Sequence, residues 1–302
     1  MKVLVTGGSG FIGRALVRRL VSEGHRVTVA DRMPFPGPEP VCHVPGDLRT
    51  AKVVESALQD ATSGVFHLAA VTSVLQSQRD PVAVYEANVA VTAALLERAR
   101  QVGASSFVLA STNAVVGDVG DGRIDERSPL RPLTPYGATK AAAEMLCSAY
   151  GASYAMGAGA VRLTNVYGPG MDHKDSIVAR LLRAARTGAS FQVYGDGRQV
   201  RDYLHVDDAV ESLLVAWRTG LRGPLTAGSG ASVSVNELVE LVRAVTGAEL
   251  PVTHVDPPAG EMPSVQVDIK RATALGFRPR VALADGLART WRGLEARPSV
   301  VG

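Results

Sequence analysis

The sequence has few of the features that mark disulfide-bonded, metal-binding or membrane proteins. Among its 302 residues there are two cysteines, Cys42 and Cys147, and neither has a second thiol or a histidine at ligand spacing. Neither a disulfide nor a metal site is therefore expected. No apolar run reaches the roughly 18 residues that a membrane span needs. The N-terminus also lacks the charged, apolar and small-residue zones of a signal peptide. We expect no membrane association and a cytoplasmic location.

A concentration of charge is also absent. The chain carries 32 Lys and Arg residues against 29 Asp and Glu residues, a formal net charge of +3, and the basic residues are scattered. Because nucleic-acid binding depends on clustered basic residues, no nucleic-acid partner is expected. The 46% of hydrophobic and 20% of charged residues are typical of a globular protein.

What the sequence does have is an alternation of short apolar runs and longer amphipathic stretches. The predicted strands are Val3–Thr6, Arg26–Ala30, Gly64–Leu68, Ser106–Ala110 and Ala158–Leu163, and the predicted helices are Phe11–Ser22, Val82–Gln101 and Tyr136–Tyr150. Such alternation favours a parallel sheet that helices cover on both faces. The predicted fold is therefore α/β, with a Rossmann-type doubly wound parallel sheet.

After residue 164 the alternation of short apolar runs and amphipathic stretches becomes less regular. Gly- and Tyr-rich stretches appear, and helical patterns recur at Ile177–Thr187, Val206–Arg218, Val235–Thr246 and Leu283–Leu294. We predict that residues 1–164 form the Rossmann domain, together with an element around residues 203–227 that returns to the main sheet. The rest of residues 165–302 is predicted to form a smaller C-terminal α/β lobe that binds substrate.

A glycine-rich turn lies between the first predicted strand and the first predicted helix. In Thr6-Gly7-Gly8-Ser9-Gly10-Phe11-Ile12-Gly13, the first glycine permits a tight turn, Gly10 lets the backbone approach a pyrophosphate, and Gly13 allows close packing. The helix N-terminus offers free N–H groups to the phosphates. A dinucleotide site is therefore predicted at Gly7, Gly10, Phe11, Ile12 and Gly13.

The choice of dinucleotide is predicted from Asp31, eighteen residues after Gly13. A carboxylate at the end of the second strand accepts hydrogen bonds from the ribose hydroxyls and repels a 2′-phosphate, which favours NAD over NADP. Arg32 follows directly, and its charge opposes this preference. We expect NAD as the cofactor and the Rossmann domain to be its binding domain.

These motifs and their order resemble the extended short-chain dehydrogenases, the NAD-dependent epimerase/dehydratase family, nearly from end to end of the chain. The matching segments include Gly46-Asp47-Leu48, His67-Leu68-Ala69-Ala70 and Asn88-Val89. The resemblance implies that Asp47 contacts the adenine and that Ser73 belongs to the substrate site. It also implies that the cofactor is lined by Leu48, Leu68, Ala69, Ala70 and Asn88.

Tyr136 and Lys140 are four residues apart and therefore share one helix face. The ordinary pKa of a tyrosine, near 10, is too high for a base at neutral pH, and a nearby ammonium group stabilises the phenolate. Lys140 can also hold the cofactor ribose. The resemblance adds Thr112, with Ser111 beside it, as the hydroxyl that binds the reacting sugar oxygen and shares the proton with Tyr136.

The chain departs from the family pattern directly after Thr112. Family dehydratases carry Asp-Glu there, and decarboxylases carry Glu at the second of these positions, whereas this chain has Asn113-Ala114. The acid and base that eliminate water are thus missing, and Asn113 is assigned to substrate binding. Val116 also replaces the usual tyrosine. Dehydration and decarboxylation are not expected.

On the substrate side, the resemblance places Asn165 at the diphosphate, Tyr194 at the nucleobase and Arg201 at a phosphate or ribose, since a planar guanidinium suits phosphate oxygens. The second phosphate-binding arginine of sugar epimerases is absent from Pro257–Pro263. Diphosphate binding is then weaker, uses Arg180 or Arg183, or is not needed.

The resulting hypothesis is an NAD-dependent epimerase that acts on a UDP- or dTDP-linked sugar, at carbon 4, through transient oxidation to a ketosugar. A ketosugar reductase or small-alcohol dehydrogenase that uses NAD or NADP at the same Thr, Tyr and Lys site is the alternative. A non-catalytic dinucleotide sensor would typically have lost Tyr136 or Lys140. The resemblance also implies a homodimer through the helices at Val82–Gln101 and Tyr136–Tyr150.

Overall fold

The computed structural model describes residues 1–120, 122–256 and 264–296. The elements of the first half are, in chain order, β1 (Lys2–Thr6), α1 (Phe11–Ser22), β2 (Arg26–Asp31), β3 (Val41–Pro45), α2 (Ala51–Ala57), β4 (Thr62–His67), α3 (Val74–Arg79), α4 (Pro81–Tyr85), α5 (Val91–Gln101), β5 (Ser106–Thr112), β6 (Arg123–Ile124), α6 (Pro135–Ser153) and β7 (Gly157–Leu163). A π-helical turn, Glu86–Ala90, joins α4 to α5 and interrupts the single helix predicted at Val82–Gln101.

The second half continues with shorter strands. Its elements are β8 (Asn165–Tyr167), α7 (Ile177–Thr187), β9 (Phe191–Tyr194), β10 (Val200–His205), α8 (Val206–Arg218), β11 (Gly223–Ala227), β12 (Ser232–Ser234), α9 (Val235–Thr246), β13 (Val252–Val255), β14 (Ser264–Val267), α10 (Lys270–Ala274) and α11 (Leu283–Glu295). None of the helices in the described ranges is long and apolar enough to cross a bilayer.

The main sheet has seven strands in the order β11-β7-β5-β4-β1-β2-β3, and all its neighbours are parallel. On one face, apolar side chains of α1 and α8 such as Leu16, Leu20 and Leu213 pack on the strands. On the other face, Leu95 and Cys147 belong to the layer formed by α2, α5 and α6. The predicted Rossmann-type fold is confirmed. The sequence did not indicate β3 or α2.

Residues late in the chain complete this sheet. After β10, helix α8 packs beside α1, and β11 then pairs with β7 from Gly223 opposite Gly159 to Ala227 opposite Leu163. The sheet has no space for a side chain at one position facing α8, since a Cβ at Gly64 would lie 2.4 Å from Nε1 of Trp217. Residues 206–227 thus belong to the Rossmann domain, with β11 as a strand of its sheet, whereas residues 203–205 of the predicted returning element lie in β10 of the second lobe.

The second lobe contains a mixed sheet in the order β12-β10-β14-β6, with β8 beside β10, and a separate β9–β13 pair. Helices α7, α9 and α11 pack on this lobe and form a second hydrophobic core, which includes Leu181, Leu238 and Leu287. Strand β6 pairs with β14 although its residues precede position 164. The chain therefore enters this lobe once before the predicted boundary.

A buried carboxylate joins the two lobes. Asp202 on β10 is fully buried, and its carboxylate accepts hydrogen bonds from the hydroxyl of Thr164 at 2.9 Å, from N–H and the hydroxyl of Ser229 at 2.8 and 2.9 Å, and from N–H of Gly230 at 2.9 Å. Thr164 follows β7, and Ser229 and Gly230 follow β11. One side chain of the second lobe thus holds the ends of two main-sheet strands.

We predict that Asp202→Ala lowers the free energy of unfolding by about 3 kcal/mol, because it leaves buried N–H groups without acceptors. Chemical denaturation measures the loss. Asp60→Ala removes an exposed carboxylate and is the matched control, with a change below about 0.5 kcal/mol. Equal stability of the two variants would contradict the role given to Asp202.

Candidate active site

A cavity of about 700 Å³ opens at the carboxyl ends of the main-sheet strands, where open α/β sheets bind their ligands. Residues from both halves of the chain line it. The predicted site residues that line it are Gly7, Gly10, Phe11, Ile12, Gly13, Asp31, Arg32, Asp47, Leu48, Leu68, Ala69, Ala70, Ser73, Ser111, Thr112, Tyr136 and Lys140.

The glycine-rich turn is closed so tightly that side chains do not fit. Gly7 has a φ of +69° and donates its N–H to the carbonyl of Ala30. A Cβ at Gly7 would lie 2.7 Å from N of Ala69, and one at Gly13 would lie 2.1 Å from O of Gly7. Helix α1 then starts at Phe11 without a side-chain cap. Its free N–H groups and the bare backbone suit a pyrophosphate, as a dinucleotide requires.

Two carboxylates lie at the ends of β2 and β3. Asp31 accepts hydrogen bonds from N–H of Ser9 and of Met33, both at 3.0 Å. Asp47 is bound by the guanidinium of Arg49, at 2.7 Å from Nη2, and this hydrogen bond lowers the pKa of Asp47 to about 2. Arg49 also lines the cavity, although the sequence did not single it out. These groups suit the ribose and adenine of the predicted cofactor.

Asn88 does not reach the cavity. Its amide group accepts a hydrogen bond from N–H of Val71 at 2.8 Å and donates to the carbonyl of Val71 and the hydroxyl of Thr139, both at 3.0 Å. Because Val71 lines the cavity, Asn88 positions the lining from behind.

A buried histidine connects β1 and β4 with α5. Because the hydroxyl of Thr92 donates to the carbonyl of Asn88, it accepts from Nε2 of His67 at 3.1 Å. Nδ1 of His67 then accepts from the hydroxyl of Thr6 at 2.7 Å. Burial, with the charge of Lys140, lowers the pKa of His67 to about 3. His67 is therefore neutral and fixes the end of β4.

The proposed catalytic groups converge at the middle of the cavity. Thr134 caps α6 by accepting from N–H of Gly137 at 3.1 Å, and a Cβ at Gly137 would lie 2.5 Å from O of Ala114. The start of α6 therefore contacts the turn that follows Thr112. This contact brings Tyr136 within hydrogen-bond distance of Thr112, and Lys140 lines the same cavity.

Burial shifts the pKa of Tyr136 and that of Lys140, both on α6. It raises the pKa of Tyr136 to about 12, against the effect of a hydrogen bond with Thr112, and it lowers the pKa of Lys140 to about 8. At pH 7 Lys140 therefore carries a positive charge and Tyr136 is protonated. With Lys140 already charged, Tyr136 becomes a base only when further positive charge, such as that of an oxidised nicotinamide, lies close to its hydroxyl.

The remaining substrate residues of the prediction are not among the residues that line the cavity. Asn165 donates to the carbonyl of Asp202 at 3.0 Å, Arg201 donates to the carbonyl of Val200 at 2.9 Å, and Tyr194 ends β9. Asn113 is buried, and neither atom of its amide group has a hydrogen-bond partner in the described part of the chain.

The segment in which sugar epimerases carry their second phosphate-binding arginine corresponds to residues 257–263, which lie outside the described residues. Of its possible substitutes, Arg183 donates to the carbonyls of Asp172 and Lys174 at 2.8 and 2.7 Å. The guanidinium of Arg180 lies over the ring of Phe191.

The structure adds two residues, from the segment between β8 and α7, to the predicted cavity lining. Lys174 and Ser176 line the cavity, and burial, with the charge of Arg14, lowers the pKa of Lys174. The hydroxyl oxygen of Ser176 is buried and has no partner among the described residues. No motif marks these positions, and only their place before a predicted helix was visible in the sequence.

We predict that Gly13→Ala weakens NAD binding about tenfold or more, because the new Cβ displaces the Gly7 carbonyl and overpacking costs about 1–3 kcal/mol. Titration calorimetry measures the affinity. The control is Gly293→Ala on α11, where the nearest atom to the new Cβ is 3.5 Å away. Unchanged NAD affinity of Gly13→Ala would show that the turn does not bind the pyrophosphate.

Comparisons with known proteins agree with this geometry. A family model described as the NAD dependent epimerase/dehydratase family matches residues 3–225. The dTDP-glucose 4,6-dehydratase of Streptomyces griseus is 35% identical over 303 residues, which cover 95% of this chain and 92% of that protein.

Two of the similar solved structures align with 98% of this chain, over 99% of their own chains. The UDP-glucose 4-epimerase of Thermus thermophilus, in complex with NAD, has a TM-score of 0.90 at 34% identity. The UDP-glucose 4-epimerase of Thermotoga maritima, with UDP-glucose, has a TM-score of 0.93 at 29% identity. The chain therefore belongs to the NAD-dependent epimerase/dehydratase family, and its cofactor is NAD.

Proposed function

We propose that the protein is an NAD-dependent epimerase of a nucleotide-activated sugar and acts at carbon 4. The observation that carries this proposal is the distribution of charge in the cavity. Among the described residues that line it, the only carboxylates are Asp31 and Asp47, at the ends of β2 and β3. The middle of the cavity holds the hydroxyls of Thr112 and Tyr136 and the ammonium group of Lys140. These groups suit proton transfer to and from a sugar hydroxyl and provide no acid for eliminating water.

In the proposed reaction, Thr112 hydrogen-bonds the oxygen at carbon 4 and Tyr136 takes its proton, while the charge of Lys140 stabilises the phenolate. When bound, NAD supplies the acceptor for a hydride from this carbon and the donor that returns it. Rotation of the ketosugar between the two transfers exposes its other face. Tyr136 then gives the proton back, so that no net oxidation occurs.

A diphosphate on the substrate is supported by Lys174, a cavity-lining ammonium group for which the described residues offer no carboxylate within ion-pair distance. The UDP-glucose bound to the Thermotoga maritima relative favours a UDP-linked sugar, and a dTDP-linked sugar is the alternative. The roles of Asn165, Tyr194, Arg201 and Asn113 in substrate binding remain predictions. The proposal includes the cytoplasmic location expected from the sequence.

One observation favours a second function, a ketosugar reductase or small-alcohol dehydrogenase. None of Asn165, Tyr194 and Arg201 lines the cavity, and these were the groups expected to hold the nucleotide. A reductase for a smaller substrate would use the same hydroxyls and ammonium group without them.

We predict that the purified protein interconverts UDP-glucose and UDP-galactose, or the corresponding dTDP-sugars, without added NADH. Tyr136→Phe should lower kcat by about 10²- to 10⁴-fold, because the proton-transfer group is lost, and should leave NAD binding intact. Chromatography resolves the two epimers, and absorbance follows NADH.

The control for this experiment is Tyr154→Phe, a change at an exposed tyrosine that should leave kcat unchanged. Stoichiometric consumption of NADH would replace the epimerase by the reductase. A 4-keto-6-deoxy product would identify a dehydratase.

We also propose a homodimer, because neighbouring helices expose large apolar side chains on one face. Val82 and Tyr85 of α4 are 66% and 54% exposed, and Met145 of α6 is 63% exposed. Helices α4 and α6 pack against each other. Ala138 and Ala149 are also exposed on α6. A second copy of the chain that presents the same two helices would cover this face.

We predict that Met145→Glu gives a monomer, because it places a charge in the apolar contact. Light scattering coupled to gel filtration measures the mass. Met33→Glu changes an equally exposed methionine in the loop between β2 and β3 and should stay dimeric. A wild-type monomer at micromolar concentration would refute the dimer.

A further inference from the structure

A buried carboxylate lies behind the catalytic groups. Glu144 follows Tyr136 by eight residues and Lys140 by four, so all three side chains share one face of α6. Its carboxylate accepts a hydrogen bond from the hydroxyl of Ser111 at 2.5 Å. It also accepts two bonds from Arg162, at 2.9 Å from Nη2 and 3.1 Å from Nε.

The partners of Glu144 come from different segments. Ser111 on β5 and Arg162 on β7 are directly opposite each other in the sheet register, so both reach α6 from the same face of the sheet. The guanidinium of Arg162 also donates from Nη1 to the carbonyl of Asp125 at 3.1 Å, in the segment that leads to α6. Four segments therefore meet at one ion pair.

This ion pair is almost fully removed from solvent, with side-chain exposures of 2% for Arg162 and 4% for Glu144. A buried ion pair is a weak source of net stability, because desolvation offsets its attraction. Its directional hydrogen bonds nevertheless favour the observed rotation and axial position of α6 on β5 and β7. The ion pair therefore constrains geometry more than it adds stability.

We infer that Glu144 is a positioning residue for catalysis. Held by Arg162 and Ser111, it fixes the helix face that carries Tyr136 and Lys140 against the end of β5 that carries Thr112. This inference rests on the proposed roles of these three groups and not on the identity of the sugar. A displacement of α6 by about 1 Å separates the two hydroxyls and can cost about 10²-fold in rate.

Glu144 also acts on the charge of Lys140. Among the described residues, the titratable groups that act on Lys140 are Glu144 and Cys147 on α6 and His67 on β4, and Tyr136 shares its helix face. His67 is neutral, and burial raises the pKa of Cys147 to about 12, so at pH 7 to 8 both are uncharged. The negative charge of Glu144 thus raises the pKa of Lys140, against burial, which lowers it.

The first variant is Glu144→Gln, which keeps the size of the side chain and removes its charge. We expect kcat to fall about 10- to 100-fold, with KM for the sugar nucleotide within about threefold. The loss of activity at alkaline pH should move to lower pH, because Lys140 then loses its proton more easily. The control is Glu97→Gln, which removes a partly exposed carboxylate that bonds Arg100 and Tyr150 and should change neither kcat nor the pH profile.

A second variant guards against simple misfolding, since Glu144→Gln leaves Arg162 without its counterion. Ser111→Ala removes one hydrogen bond and keeps the ion pair. It should lower kcat by about threefold to tenfold, with a melting temperature close to that of the wild type and an unchanged alkaline limit.

A readout without substrate separates this inference from the proposed function. The chain has five lysines, so carbon-13-labelled lysine gives few NMR signals, and Lys140→Arg assigns the one from Lys140. We expect its titration midpoint to fall in Glu144→Gln. A lower midpoint in an enzyme that epimerises no sugar would refute the proposed function alone. Wild-type kcat in both folded variants, or an unchanged midpoint in Glu144→Gln, would overturn the positioning role.

Discussion

All seven strands of the main sheet run in one direction, so their carboxyl ends open onto a single edge. The glycine turn after β1, Asp31 at the end of β2 and Thr112 at the end of β5 lie far apart in the chain. They line one cavity because the parallel sheet brings strand ends together. Their spacing follows from sheet register, and the proposed chemistry depends on it.

The second lobe is connected to this edge by polar contacts. Asp202 accepts hydrogen bonds from residues that follow β7 and β11. Arg14, one residue after the glycine turn, donates to the carbonyl of Gly170 at 3.0 Å, in the segment that continues to Lys174. The helix predicted to bind the pyrophosphate thus directly contacts the segment that brings the ammonium group of Lys174 to the cavity. This contact fixes the position of that segment relative to the glycine turn.

The charges of the cavity match a reversible transfer of a proton and a hydride. Carboxylates lie at the ends of β2 and β3, whereas hydroxyls and an ammonium group occupy the middle. Glu144, a carboxylate on the same face of α6 as the proposed catalytic groups Tyr136 and Lys140, is buried and already bonded to Arg162 and Ser111. It therefore holds the catalytic helix and is not available as an acid for eliminating water. Similarity to a dehydratase from Streptomyces griseus shows shared ancestry, and the cavity argues for a different reaction.

The sequence by itself determined the features whose function depends on local spacing. The glycine turn, Asp31 and the pair Tyr136 and Lys140 act within one turn, one strand end or one helix face, so their pattern in the chain predicted their place in the cavity. The pair Asn113-Ala114, compared with the family pattern, likewise predicted that the acid and base for eliminating water are absent. Only the tertiary structure decided that Asn88 binds the backbone of Val71 instead of reaching the cavity, that Lys174 lines this cavity and that Glu144 meets Arg162. These are contacts between segments that lie far apart in the chain. Strand register and helix packing determine such contacts, and neither leaves a local pattern in the sequence.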